Sequence, residues 1–176
     1  MLIRINKQDI DLLTCTDLSK KCFEPLIKHY KREVASQDDF TKYREQFYNQ
    51  LTEGQRSLFM FYVYYNHVSK SLKEFYWWSA YFMAQPITWA ALKASLRYFK
   101  DENMLLLLEK IEQELKQHNH PHSLESFTVT REHLDQNEEL KKSIKSLHEI
   151  FEHTSPLSIK RLNDYTEKNL QEFIEI

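Results

Sequence analysis

A chain of 176 residues with 41% apolar and 28% charged side chains is long enough for one ordinary domain with a sizeable core, and its composition excludes disorder as the default state. A single glycine excludes more. A P-loop, a Rossmann fingerprint and a nucleophile elbow each need two or more glycines, for strained turns or for close backbone approach to a ligand, so those three kinds of site are ruled out. Hairpins and βα-turns also lean on glycine, helix interiors avoid it, and with only four prolines the chain reads as all-α.

In chain order, Leu18, Cys22, Leu26, Tyr30 and Val34 recur every fourth residue and predict one helical face, with Ile10 and Leu13 ahead of it. Pro25 interrupts that pattern, as a kink or as the first turn of a new helix. SQDDF (36–40) reads as a connection. Thr52, Glu53, Gly54 and Gln55 spell a capping box, in which Thr52 takes the Gln55 amide and Gln55 reaches back. The helix that follows places Leu58, Phe61, Tyr65, Val68, Leu72, Phe75, Ser79 and Phe82 on one face. Eleven of the chain's 24 aromatic residues lie between Phe59 and Phe82, and a helix that is greasy on every side belongs at the centre of a bundle. The polar island NHVSKS (66–71) divides this stretch, which therefore forms one long helix or two. With Lys70, Lys73 and Glu74 in its middle it falls short of the roughly 20 apolar residues that a membrane span needs.

Pro86 opens the next helix, with Trp89, Leu92, Leu96 and Phe99 inward; Asp101 caps another, with Met104, Leu105, Leu108, Ile111 and Leu115 inward. HNHPHS (118–123) is the clearest loop, and LESFTVT after it is extended, a short strand or a linker. Two final helices are expected, one over Leu140, Ile144, Leu147 and Phe151, the other from a Ser155-Pro156 start through Leu162, Tyr165, Leu170 and Phe173. The sum is a single all-α domain, residues 1–176, of six or seven helices around an aromatic helix or helix pair. Any sub-boundary falls at 118–130.

Charge and cysteine usage bound the partners and the compartment. Residues 1–50 carry nine Lys/Arg against eight Asp/Glu, residues 51–100 six against two, and residues 101–176 nine against sixteen. Such an acidic segment suits a basic partner, and it equally suits ordinary solvated helix surfaces. Cys15 and Cys22 are seven apart, not in a CxxC arrangement, and MLIRINKQDIDLL is charged from Arg4 onward, unlike a signal peptide. Reduced, buried thiols in a cytoplasmic protein are the expectation.

Few constellations carry chemistry. HExxH is absent, and none of the eight histidines has a Glu three residues before it, as a ferritin-like di-iron site requires. His118, His120 and His122 alternate in a loop and are candidate ligands for zinc, copper or nickel, although alternate loop residues do not preorganise a tetrahedral site. His67 in the polar island, with Glu74, is a candidate acid–base pair if the island opens onto a pocket; otherwise it caps a helix end or faces solvent. Trp77, Trp78, Tyr81 and Trp89 read as core, but adjacent Trp77 and Trp78 cannot point the same way on a helix, so one of them is a candidate partner contact. Lys70, Lys73, Lys93, Arg97 and Lys100 are too few to interleave these rings for nucleic-acid stacking, so direct nucleic-acid binding is not expected.

LTEGQRSLFMFYVYYNHVSKSLKEFYWWS and LKASLRYFKDENMLLLLEKIE together resemble a helical family named for a DNA-mimic protein, otherwise catalogued as a domain of unknown function. In that family a Leu-Thr helix start leads into an apolar helix, then a Val-Asn-Gly-Gly-Phe-x-Gln-Phe-like break and further helices. Val68, Leu72 and Phe75 match its apolar positions; Ser69, Lys70 and Ser71 stand where Asn-Gly-Gly would, and Glu74 where Gln would. The resemblance covers residues 51–115 and lacks the glycine pair. It implies an all-α fold and a non-enzymatic role, binding a DNA-binding protein through an acidic surface.

Two functional readings follow. The first is a cytoplasmic, non-catalytic protein-interaction module without cofactor, using an acidic C-terminal helical face that includes Glu138 and Glu139, or an aromatic patch at Trp77 or Trp78, with a homodimer as one possible assembly. The second is a small-molecule or metal-binding enzyme centred on His67 and Glu74, or on His118, His120 and His122.

Overall fold

Helix starts follow from side chains that satisfy the backbone N–H groups a first turn leaves open. Thr52 Oγ1 accepts from Gln55 N at 3.1 Å while Gln55 Oε1 accepts from Thr52 N at 3.2 Å, the reciprocal box the sequence predicts. Ser71, in extended backbone, accepts from Glu74 N at 3.2 Å, and Asp101 accepts from Met104 N at 3.3 Å. Pro86 occupies a first-turn position where its missing N–H costs nothing. Two helix ends close with a residue of positive φ, Lys100 (55°) and Asn119 (56°), and each is followed by a tight bond, Asp101 N to Leu96 O and His120 N to Leu115 O. Glycine usually fills this position, and the chain's only glycine, Gly54, lies elsewhere.

The computed structural model describes residues 3–4, 17–35 and 40–175, with side chains for residues 17–35 and 43–174. Among them eight helices follow one another: α1 (Leu18–Val34), α2 (Phe40–Gln50), α3 (Glu53–Val68), α4 (Leu72–Met83), α5 (Pro86–Tyr98), α6 (Glu102–Gln117), the four-residue α7 (His133–Gln136) and α8 (Glu138–Lys168). A minimal parallel pair, β1 (Ile3–Arg4) with β2 (Ile174–Glu175), sets Ile3 opposite Ile174. The fold is all-α. Cys15, Ile10, Leu13 and most of the 36–40 connection lie outside the described residues. No helix among the described residues is long and apolar enough to cross a membrane.

The aromatic stretch is two helices, α3 and α4, parted at residues 69–71. The two final helices expected from the sequence are instead one, the 31-residue α8, with Pro156 inside it. Losing one helical bond and accommodating the ring costs about 3 kcal/mol. Buried positions on either side offset this: Leu140, Ile144, Phe151, Ser155, Ser158, Leu162 and Thr166 form one continuous stripe through the proline. Pro25 is likewise carried inside α1. LESFTVT contains a 3-10 turn at Leu124–Ser126, then extended chain without a strand partner among the described residues.

The chain divides into two compact units, residues 1–62 with 159–176, and residues 63–158. The 118–130 segment falls inside the second. The first unit has an aromatic core: Phe47, 1% exposed, has the rings of His29, Tyr30, Tyr43, Tyr48 and Phe59 at 5.1–6.4 Å, and Phe23 packs on Phe59 and Tyr62. One polar knot is buried there. Ser19 N and Oγ both donate to Asn163 Oδ1, at 2.9 and 2.7 Å, so Ser19 Oγ accepts from the Tyr62 hydroxyl at 2.7 Å. The Thr52–Gln55 box serves a second purpose, donating through Thr52 Oγ1 to Glu172 O and through Gln55 Nε2 to Phe173 O (2.8 Å). In the second unit the rings of α4, Phe75, Tyr76 and Phe82, are buried alongside an aliphatic seam between α5 and α6. Leu92 and Leu96 of α5 and Met104, Leu107, Leu108, Ile111 and Leu115 of α6 are all at most 2% exposed, each such side chain contributing about 1.5–3 kcal/mol.

Candidate functional site

Polar chemistry in the second unit gathers at the start of α4. Ser71 turns the chain into the helix, which puts Glu74 in the first turn and Trp78 one turn on, with Trp77 and Tyr81 on the neighbouring row. Trp77 and Trp78 diverge as helix geometry demands, their planes 88° apart. Trp78 lies on the His67 ring (3.6 Å between centroids, 22°) and donates Nε1–H to Glu74 Oε2 at 2.8 Å. Trp77 stacks on Tyr81 (5.1 Å, 9°) and donates Nε1–H to the Val129 carbonyl at 2.9 Å.

The partners of this cluster come from residues 120–131, a strap laid on α4. Phe127, Val129 and Arg131 alternate toward the helix while Thr128 and Thr130 stand exposed, the period of an extended chain. Phe127 presents its edge to Trp77 and Tyr81. The Arg131 guanidinium sits 4.4 Å over the Trp77 ring and grips both Glu74 oxygens, Nε to Oε1 and Nη2 to Oε2 (2.8 Å). These Arg131 hydrogen bonds hold the Glu74 carboxyl below its ordinary range, and Glu74 raises Arg131 in turn. Beyond the strap, Lys73 pairs with Asp135 of α7, and Asp135 also takes Lys141 at 2.9 Å.

His67 and Glu74 therefore meet the same indole, the first on its face and the second at its N–H. Arg131 and Trp78 together take three of the roughly four acceptor sites of the Glu74 carboxylate. The indole N–H groups of Trp77 and Trp78 are spent inside the unit, and both side chains are half-buried. Sequence reasoning missed Arg131, Phe127 and Val129, because a 57-residue separation and an aperiodic loop leave no local pattern to read.

The three loop histidines part company. His120 is buried; its Nδ1 lies 3.1 Å from the Leu115 carbonyl and its Nε2 2.8 Å from the Tyr76 hydroxyl. A carbonyl only accepts, so Nδ1 carries the hydrogen and Nε2 of the neutral ring accepts from Tyr76. No lone pair is left for a metal. His118 Nε2 faces Glu114 Oε1 at 3.2 Å, and Asn137 Nδ2 reaches its Nδ1 at 3.4 Å. His122 is exposed. Among the described residues, no group of three or more His, Cys, Asp or Glu side chains is placed to hold a metal ion. Burial pushes His120 below the usual imidazole range, against a smaller upward pull from its Leu115 bond. It also pushes the Tyr76 hydroxyl up to about 12.

A second polar cluster joins α5 to α6. Burial alone would raise the Glu112 carboxyl, but hydrogen bonds from Lys116 (2.6 Å), Lys93 (2.7 Å) and Trp89 Nε1 (2.9 Å) outweigh it and lower Glu112 to about 2. The Trp89 indole is thus fixed in the core rather than presented to a ligand. Glu138 and Glu139 sit in the first turn of α8, after Asn137, whose Oδ1 accepts from Leu140 N at 3.0 Å, and both are exposed. Carboxylates there are favoured by the helix dipole and open to a partner. Cys22 is buried and free, its thiol pushed up to about 12 by that burial, which makes it inert. Compared with known proteins, the chain matches no family model, no curated protein and no solved structure.

Proposed function

We propose that the chain is a non-catalytic protein-interaction module of a reducing compartment, the cytoplasm, and that its partner is a basic protein surface. The observation that carries this reading is a contrast in how carboxylates are used. Glu74, the one placed to act as a base near His67, is engaged by Arg131 and Trp78, whereas Glu138 and Glu139 stand in solvent within a segment of sixteen acidic against nine basic residues. The resemblance to the DNA-mimic family points to the same class of partner. Trp77 and Trp78 enter this reading as the frame that holds the strap.

The test is quantitative capture of bound proteins at two salt concentrations. Capture should fall with Glu138→Lys and Glu139→Lys, and should fall with added salt, since exposed pairs are screened beyond about 8–10 Å. His67→Ala and His118→Ala should leave it intact. Loss of binding with the histidine variants alone would sink the reading and restore the catalytic alternative. A second copy of the chain is the other partner to look for: Ile150 (42% exposed) and Leu157 (62% exposed) lie two turns apart on α8, an apolar pair suited to a self-contact. Native mass spectrometry of the untagged protein reads that directly.

A further inference from the structure

Residues 127–131 are held on α4 as a bound peptide is held. The segment is extended, without a strand partner among the described residues, and no backbone–backbone hydrogen bond there joins it to α4. Side chains at alternate positions hold it instead. Phe127 sets its edge against Tyr81 and Trp77 (5.4 and 5.9 Å between centroids), and Arg131 lies 4.4 Å over Trp77 and forks onto Glu74. Between them the Val129 side chain is buried, and its carbonyl accepts from Trp77 Nε1 at 2.9 Å. The receiving residues, Glu74, Trp77 and Tyr81, follow one another at i, i+3 and i+7, a single row of the helix. That row is about 10 Å long, and an extended segment of this length spans about 13 Å, so the two sets of groups meet along their whole course. We propose that this row is a groove for an extended peptide and that residues 127–131 are its resident pseudo-ligand. The groove then also takes a segment of another protein that carries an aromatic residue, a β-branched residue and an arginine at alternate positions.

The ligand's chemistry follows from what the groove offers. Glu74 and the face of Trp77 together suit a planar guanidinium, which forks onto a carboxylate while lying on a ring, better than they suit an ammonium. Trp77 and Tyr81, nearly parallel at 9°, present a flat ring surface to an aromatic edge. A β-branched residue suits the extended, buried position between the two ends. The Trp77 N–H reads a main-chain carbonyl that every residue has, so it fixes register and not identity. Thr128 and Thr130 stand exposed, which leaves the intervening positions of a ligand unconstrained. The strap is also built to lift. His120 and Leu134 are buried on either side of it, whereas none of residues 121–126 is buried. Residues 127–131 can therefore leave α4 while both anchors stay in place. A resident on so short a tether has an effective concentration on the order of millimolar, which sets what an outside segment must exceed. The groove uses neither Glu138 nor Glu139, on which the partner proposed above depends.

Fluorescence anisotropy of a labelled peptide, SLESFTVTREHL (residues 123–134), titrated with the intact protein, tests the groove. Wild type, with its strap in place, should bind weakly. Arg131→Ala in the protein loosens the resident and should tighten peptide binding at least tenfold. Adding Glu74→Gln to that variant should undo most of the gain. A peptide carrying Arg131→Lys should bind the loosened protein severalfold more weakly than the native peptide does. Far-UV circular dichroism checks that each variant keeps its helices; should Arg131→Ala fail to fold, Phe127→Ala loosens the strap from its other end. No gain on loosening the strap, or a gain indifferent to both Glu74→Gln and the peptide's arginine, would overturn the groove.

Discussion

Residues 63–158 are one continuous stretch of chain, whereas residues 1–62 find many of their partners more than a hundred positions later, Ser19 on Asn163 and Thr52 on Glu172. The continuous unit is assembled from neighbours joined by short turns, α4 to α5 to α6, over a core that mixes rings with an aliphatic α5–α6 seam. In the divided unit rings mesh, and the buried polar groups of Ser19 and Gln55 draw partners from the distant C-terminal segment as well as from nearby residues. Local contacts form quickly and cheaply, while distant ones wait on loop closure. The histidines are also divided unequally: His29 belongs to the first unit and the other seven to the second.

The largest expected effect is on the ring mesh. Phe47→Ala should cost about 3–5 kcal/mol in urea unfolding, and hydrogen exchange should show residues 17–62 and 159–175 losing protection before α5 and α6 do. Equal loss in α6 would mean the two units melt as one. Next, Asn163→Ala strands two buried donors on Ser19 and should cost about 1–3 kcal/mol, again read by which amides exchange. Glu112→Gln tests the continuous unit and should cost about 1–2 kcal/mol at neutral pH. Because the Glu112 carboxyl titrates near 2 when folded, against an ordinary 4.5, its contribution is present above 4.5 and lost as pH falls toward 2. Wild type and variant should thus converge in acid, and a constant gap would rule out the charge as the cause. The smallest effect is a gain: Lys100→Gly relieves a positive φ and should add about 0.5 kcal/mol, while Asn119→Gly, where asparagine already tolerates that backbone, should change little.

What could be read in advance was what neighbouring residues decide among themselves. The Thr52–Gln55 box, the Asp101 cap, the Pro86 start and the parting of α3 from α4 all depend on side chains within four positions of the backbone they serve. The sequence misleads at Pro156, because the buried stripe that carries α8 through the proline is a property of packing. It is silent at Lys100 and Asn119, where the usual glycine signal is replaced. The candidate site was half legible. His67, Glu74, Trp77 and Trp78 do gather in one place, yet what organises them is Arg131, which only the fold brings near. His118, His120 and His122 looked alike as letters, and burial of one of them alone sets their different fates.

The capping box at Thr52 and Gln55 has a consequence for synthesis. A ribosome makes the chain from its N-terminus, so Thr52 and Gln55 emerge long before the Glu172 and Phe173 carbonyls that they serve. Gln55 and Ser19, both fully buried in the finished molecule, must meanwhile be solvated by water or held by other proteins. Residues 63–158, one continuous compact unit, have all been added by the time Ser158 is made. The middle of the chain can mature first, and the last eighteen residues act as the closing stitch for the beginning.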